Sequence, residues 1–251
     1  MDEKAPSLPP GVRMLVTTRS GGVSRAPWDF LNLGDHVGDD RDAVIENRRL
    51  LTEVHALPRP PRWLQQVHGV AVADLDTASG GVPVADASVT AEPGTVCAVL
   101  TADCLPVLLA AADGSAVAAA HAGWRGLAAG VLENTVAALR ARVPPDVALH
   151  AWFGPAIGPL RFEVGDEVLA AFVAQDAAGG SAFTRGAGDR WHADLYELAR
   201  QRLAGAGVTA VSGGGACTYD EEERYFSHRR DVQHRGQGAT GRMASLIWLQ
   251  P

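Results

Sequence analysis

The chain has 251 residues, 47% hydrophobic and 20% charged, with a formal net charge of −7. That length and apolar fraction suffice for a sizeable core, in one large domain or two small ones. The acidic balance leaves no Lys/Arg surplus for a nucleic-acid backbone binder, three cysteines make no disulfide framework, and no 18-residue uncharged apolar run reads as a membrane span.

The opening MDEKAPSLPP lacks an apolar stretch of signal-peptide length. Residues 1–11 are therefore expected to be a disordered, proline-rich lead-in, and the protein cytoplasmic with reduced thiols. Val12–Thr18 reads as a strand, followed by the glycine loop Arg19-Ser-Gly-Gly-Val-Ser24. Asp39 or Asp40 caps a helix to about His55, with Val44, Asn47, Leu50, Leu51 and Val54 on one face. Pro58, Pro60 and Pro61 then break the chain. Trp63–Val67 and Val70–Asp74 read as strand pieces around Gln65-Gln-Val-His-Gly69, where the glycine suggests a bend that exposes His68. Asp86–Thr90 is a further short strand.

The apolar centre of the chain follows. Val96–Leu100 reads as a buried strand, Thr101-Ala-Asp-Cys104 as a turn, and Leu105–Ala112 with Ser115–His121 as a hairpin closed by Asp113-Gly114. Gly123-Trp-Arg-Gly126 leads into one amphipathic helix from about Leu127 to Arg142, stopped by Pro144-Pro145. Val147–Phe153 is a strand, Gly154–Pro159 a rigid loop, and Asp166 with Glu167 opens a helix to about Ala174. Ala177–Gly188 reads as a surface loop. Asp194 and Glu197 form a capping box for the next helix, Val208–Val211 is a strand, and Gly213-Gly-Gly215 a turn. Ser227–Asp231 is the densest cationic cluster, and Gly241–Leu249 closes the chain on a core strand. Strands and helices alternate irregularly, which predicts one α+β (mixed α/β) domain over residues 12–251 with a mixed sheet.

The hairpin has a chemical consequence. With Asp113-Gly114 as its loop, Pro106 faces His121, and Cys104 becomes a diagonal neighbour of His121 at the open end. A thiolate and an imidazole so placed either share a metal or pair as nucleophile and base. With His68 they make a three-ligand zinc set whose fourth position is open to water, the pattern of a catalytic site. The metal-free cysteine nucleophile and a purely structural role stay open on spacing alone. Imidazole and thiolate also suit copper, but eight histidines without a His-x-His pair do not supply a trinuclear oxidase cluster.

Several segments together resemble one family: Thr17–Ser24, Asn32-Leu-Gly34, His36–Asp40, Gln65–Gly69, Ala85-Asp-Ala87, Thr101–Cys104, Ala120–Gly126, Gly154–Gly158, Cys217-Thr218, Ser227–Asp231 and Gly241–Ser245. This is the YfiH family, also labelled purine nucleoside phosphorylase, polyphenol oxidase (laccase-domain) or peptidoglycan editing factor. The resemblance implies a layered αββα sandwich and a zinc site on His68, Cys104 and His121. It implies phosphorolysis of adenosine, inosine, guanosine and methylthioadenosine, and hydrolytic deamination of adenosine. The implied partners are a purine nucleoside and phosphate, with neither nucleic acid nor membrane. Arg19, Arg125, Arg229 and Arg230 are candidate phosphate or substrate contacts, Asn32 and Gln66 candidate contacts to ribose or base. Asp103, beside Cys104, is a candidate to orient a ligand or move a proton. Two features depart from the family pattern: His228 stands at a usually aromatic position, and Val232–Thr240 is longer than usual. A copper phenol oxidase, a cysteine hydrolase acting on peptidoglycan precursors and a non-catalytic binding protein are the alternatives.

Overall fold

The computed structural model describes residues 8–78 and 80–251. Residues 1–7 of the expected lead-in lie outside them. Pro9 is buried, and its carbonyl accepts from Val12 N at 3.1 Å.

Two sheets lie face to face between helices. The small sheet is antiparallel, with β1 (Val12–Val16) and β4 (Val96–Thr101) on either side of β12 (Met243–Leu249). The large sheet has six strands, in spatial order β11 (Ala210–Gly213), β7 (Leu149–Phe153), β5 (Leu105–Ala111), β6 (Val117–Ala122), β3 (Ala87–Thr90) and β2 (Val72–Asp74). β11–β7 and β3–β2 pair parallel and the rest antiparallel, so the sheet is mixed.

Side-chain alternation builds the layers. From β5, Leu108 and Ala110 face the small sheet, where they meet Cys97, Val99 and Ile247. Leu105, Val107 and Leu109 face the other way, onto α3 (Val131–Arg140) and α4 (Leu195–Gly205). Because both faces are covered, β4, β5 and β6 are continuous apolar runs rather than alternating ones. The outer face of the small sheet carries Ala98, Leu100 and Leu246 against Leu51 of α1 (Arg41–Val54). The order helix, sheet, sheet, helix is the αββα sandwich that the resemblance implied.

Asp40 caps α1 by accepting from Asp42 N and Ala43 N at 2.8 and 3.0 Å. The hairpin register is the expected one, with Pro106 opposite His121 and Leu105 opposite Ala122.

Three expectations are corrected. The single helix over 127–142 is two, α2 (Trp124–Ala129) and α3, because Gly130 adopts φ +105° and ends the first. Trp63–Val67 is no strand: it carries the isolated bridge Gln65–Val84, and Arg62 just before it bridges to Cys97. There the Gln66 side chain takes the place of a ladder: Nε2 donates to Leu100 O at 2.8 Å, and Oε1 accepts from Leu100 N at 2.7 Å. The loop expected over 177–188 contains a 3-10 turn (Ala177–Ala182) and the strand β9 (Phe183–Arg185). β9 pairs with β10 (Trp191–Ala193), which also pairs with β8 (Glu163–Val164); strands of two or three residues leave no periodicity to read.

Candidate metal centre

The open end of the β5–β6 hairpin gathers the three residues singled out by spacing. One ligand atom from each of His68, Cys104 and His121 lies within 4.8 Å of the other two. Cys104 Sγ stands 3.8 Å from His68 Nε2. The two imidazoles meet edge to face, with centroids 4.8 Å apart. Two nitrogens and a sulfur converging on one point fit a tetrahedral ion that keeps one position for an outside ligand.

Backbone detail puts them there. His121 lies on β6 and Cys104 just before β5, so the ladder fixes both. His68 has no ladder. It sits at φ +59°, a conformation uncommon for a side-chain-bearing residue. Asp86 holds it: the carboxylate accepts from Val67 N, His68 N and Gly69 N at 3.1, 2.9 and 2.7 Å. Asp86 Oδ1 also lies 2.8 Å from His121 Nδ1, which leaves Nε2 of His121 for the cluster. One fully buried carboxylate thus orients both histidines.

The glycines of Ala120–Gly126 complete the arrangement. A Cβ at Gly123 would stand 2.8 Å from His68 Cδ2 and 3.0 Å from Cys104 Sγ. A Cβ at Gly126 would stand 2.7 Å from Gly69 O. These positions admit the His68 turn only because they carry no side chain.

Burial alone would raise the Cys104 thiol. The His121 charge and hydrogen bonds from His121 and His68 outweigh it and lower the thiol to about 6. Burial likewise opposes a charge on His121, but the Cys104 thiolate and Asp86 raise it to about 9. The pair favours the thiolate, the form in which Cys104 would hold a metal, and His121 would give up its proton to do the same. Cys97, sealed inside β4, is the contrast: burial pushes its thiol up to about 12.

The cluster lines a cavity of about 410 Å³. Gln66, Asp103, Arg125 and Arg229 line it too, as do Trp124 and Phe162. Arg125 stacks on Trp124, with its guanidinium carbon 4.4 Å from the ring centroid. Arg229 Nη1 donates to Glu163 O at 2.8 Å. Asp103, at φ +90°, commits both oxygens: Oδ1 accepts from Thr218 Oγ1 at 2.7 Å and Oδ2 from Arg229 N at 2.6 Å. It ties down the two loops beside the cavity.

The other candidates stand elsewhere. Arg19 lines a separate cavity with Asp29 and Glu222 and donates to their carbonyls at 3.0 and 3.2 Å. Arg230 is buried and closed on itself, paired with Asp231 at 2.7 Å and donating to Thr218 O, Tyr219 O and Tyr225 O. Asn32 is fully buried; its Nδ2 donates to Asp39 Oδ2 at 2.8 Å, and its Oδ1 accepts from Arg242 N at 2.9 Å.

Sequence reasoning missed Asp86 and Arg242. Both lie in segments that carried the resemblance, Ala85-Asp-Ala87 and Gly241–Ser245. The available signal was a lone charged residue at the edge of an apolar strand, Asp86 between Ala85 and Ala87 and Arg242 between Gly241 and Met243.

The sequence model of a family described as multi-copper polyphenol oxidoreductase laccase matches residues 13–250. A purine nucleoside phosphorylase of Pseudomonas aeruginosa is 57% identical over 243 residues, which cover 96% of this chain and 95% of that one. The Escherichia coli protein named purine nucleoside phosphorylase YfiH is 54% identical over 241 residues, with 96% and 95% covered. The chain belongs to the YfiH family. Solved structures agree with this membership. A Neisseria meningitidis protein superposes with a TM-score of 0.89 at 49% identity, covering 97% of this chain and 96% of its own. YlmD from Geobacillus stearothermophilus does so at 0.85 and 34%, with 96% and 93% covered. Among the described residues, no helix is long and apolar enough to cross a membrane.

Proposed function

We propose that this YfiH-family chain is a zinc-dependent purine nucleoside phosphorylase that also deaminates adenosine hydrolytically. The observation that carries the reading is the convergence of His68, Cys104 and His121 on a cavity that also holds arginines and aromatic rings. Lewis acidity, which eases charge build-up on a reacting oxygen or nitrogen, is what zinc supplies when held by such a set.

In phosphorolysis a phosphate oxygen bonds to C1′ of the ribose while the C1′–N9 bond breaks. The electron pair leaves with N9, which takes up a proton, and free purine and ribose 1-phosphate result. In deamination water adds at C6 of adenosine and ammonia departs. The cavity's arginines supply positive charge for an anion, and Trp124 with Phe162 supplies flat apolar surface for the base. Asp103 keeps the Thr218 and Arg229 loops in place around them. Gln66, with both amide atoms engaged by Leu100, shapes the cavity wall.

The laccase description of the matched family favours a second reading, a copper phenol oxidase. The donor set suits copper as well as zinc. Among the described residues, however, only one group of His, Cys, Asp and Glu has ligand spacing, whereas multicopper chemistry needs several. Metal analysis of protein purified without added metal, with adenosine and inosine turnover measured on the same sample with and without phosphate, tests both. One zinc per chain with phosphate-dependent inosine cleavage lost in Cys104→Ala supports the phosphorylase. Copper with oxygen uptake on phenols overturns it.

A further inference from the structure

Arg242 stands at the junction of two cavities. It lines the main one with Cys104 and Asp103, and a second one of about 240 Å³ with Val232 and Thr240. His36 and His228 line both cavities with it. Of the three arginines in the main cavity, Arg125 is stacked on Trp124, and Arg229 donates to Glu163 O and stands over the Phe162 ring. Among the described residues the Arg242 side chain donates through Nη1 alone, to Thr240 O and Gly241 O, both at 3.0 Å. Among the described residues its Nε and Nη2 have no protein acceptor, and no carboxylate pairs with it. The side chain is half-buried; burial has the largest effect on its guanidinium and lowers its pKa, and the negative groups facing it are Cys104 and Asp103. A metal on Cys104 neutralises one of these.

Its placement is built in from far along the chain. Asn47 on α1 donates to Phe30 O and Asn32 O at 3.2 and 2.8 Å and accepts from Val23 N at 2.8 Å, fixing the loop that carries Asn32. Asn32 Oδ1 then accepts from both Gly34 N and Arg242 N, at 3.0 and 2.9 Å. A Cβ at Gly34 would stand 2.8 Å from Arg242 Cγ. Asn32-Leu-Gly34 therefore fixes the backbone of Arg242 and leaves room for its side chain.

We infer that Arg242, flanked by His36 and His228, is the oxyanion site of this cavity and binds inorganic phosphate. The inference rests on the phosphorylase reading for its ligand, while the site itself rests on the geometry. A half-buried guanidinium with N–H groups free to face a cavity is a strong phosphate donor, because charge-assisted N–H bonds to phosphate are strong and its field is screened less than that of a fully exposed arginine. Burial and the Arg242 charge hold both imidazoles below their ordinary pKa, so at neutral pH each is a neutral hydrogen-bonding group. Asp35 Oδ1 lies 3.5 Å from His36 Nδ1, an exposed pair at the mouth of the site.

The test is zinc-loaded Arg242→Gln, assayed for inosine phosphorolysis at varied phosphate and for adenosine deamination, which needs no phosphate. Phosphate KM is expected to rise at least about tenfold, the loss of a hydrogen bond to a charged group. Inosine KM, deamination and zinc content are expected to hold. An unchanged phosphate KM overturns the assignment. Should Arg242→Gln not fold, Arg242→Lys and the paired substitutions His36→Gln and His228→Gln replace it: a raised phosphate KM in both sustains the site, and an unchanged value in both overturns it. If the wild-type protein cleaves no nucleoside, the phosphorylase reading fails, and calorimetry with inorganic phosphate alone decides the site. Binding by wild type that is lost in the variant sustains it; equal binding by both, or none by wild type, overturns it.

Discussion

Asp86, buried behind the two histidines, and Asp103, on the cavity wall, are two buried carboxylates that do different work. Asp86 takes three backbone N–H groups and the His121 ring, so it fixes two of the three metal-set side chains. Asp103 takes one hydroxyl and one N–H, from Thr218 and Arg229, so it fixes the loops beside the substrate space. The first is a precondition for the convergence of His68, Cys104 and His121, the second for the shape of the cavity around them. A carboxylate beside a ligand in sequence, as Asp103 is beside Cys104, need not be the one that orients ligands. Asp86 does so from 18 residues away in sequence from His68.

The largest expected effect breaks the Asp86 side. Asp86→Ala leaves a buried imidazole and a turn of N–H groups without acceptors. At about 1–3 kcal/mol for each unsatisfied group, partly relieved by water, the loss is about 3 kcal/mol or more. For a chain of this size that lowers Tm by roughly 10 °C, read from a thermal melt. Asp86→Asn keeps the volume but places an NH2 where acceptors are needed. Its zinc affinity is expected to fall about 10–100-fold in a competition titration with a chelator. Unchanged affinity removes Asp86 from the metal centre.

The Asp103 side gives the next effect. Asp103→Ala removes two hydrogen bonds and puts Ala at φ +90°, costing about 1–3 kcal/mol. Zinc stoichiometry is expected to stay at one while nucleoside KM rises. Asp103→Asn tolerates the backbone better and keeps one acceptor, so it is expected to fall between wild type and Ala. Loss of zinc in Asp103→Asn would erase the distinction between the two carboxylates.

How far each side was legible follows from how local its signals are. The hairpin turn Asp113-Gly114 set a register, and the register placed Cys104 next to His121; both are short-range inferences. The αββα order followed from matched segments rather than from periodicity, because β4, β5 and β6 are buried on both faces and do not alternate. Asp86 and Arg242 were present in those segments, but their work depends on contacts to residues far along the chain. Arg242 meets Asn32 across 210 positions, and Asp103 meets Arg229 across 126. Arg230 misled in the opposite sense: a cationic cluster on paper is, in the fold, an ion pair buried with Asp231. No spacing rule separates an arginine that is closed on its own carboxylate from one that is free to hold a ligand.

A smaller effect sharpens the reach of Asn32. Gly34→Ala is expected to displace Arg242 without touching His68, Cys104 or His121, since its Cβ would meet Arg242 Cγ at 2.8 Å. Phosphate KM should rise several-fold while the zinc affinity of the same sample holds, the pattern of a shifted rather than a deleted charge. A fall in zinc affinity instead would mean that the 34 and 242 segments support the metal centre directly.

The smallest expected effect concerns Arg19. Its guanidinium donates to Asp29 O and Glu222 O, stacks 4.7 Å from the Phe226 centroid, and faces a cavity other than the one that holds Cys104. Arg19→Ala is therefore expected to lower Tm, because two carbonyls lose their donor and an aromatic face its cation. It should leave phosphate KM within about twofold, the scale of substitutions remote from a site. Measured beside Arg242→Gln, the two arginines separate loop support from anion binding: one moves the melt, the other the KM. A tenfold rise in phosphate KM for Arg19→Ala would place the anion in the second cavity, between Arg19 and Gln237, and would detach phosphate from the His68–Cys104–His121 centre.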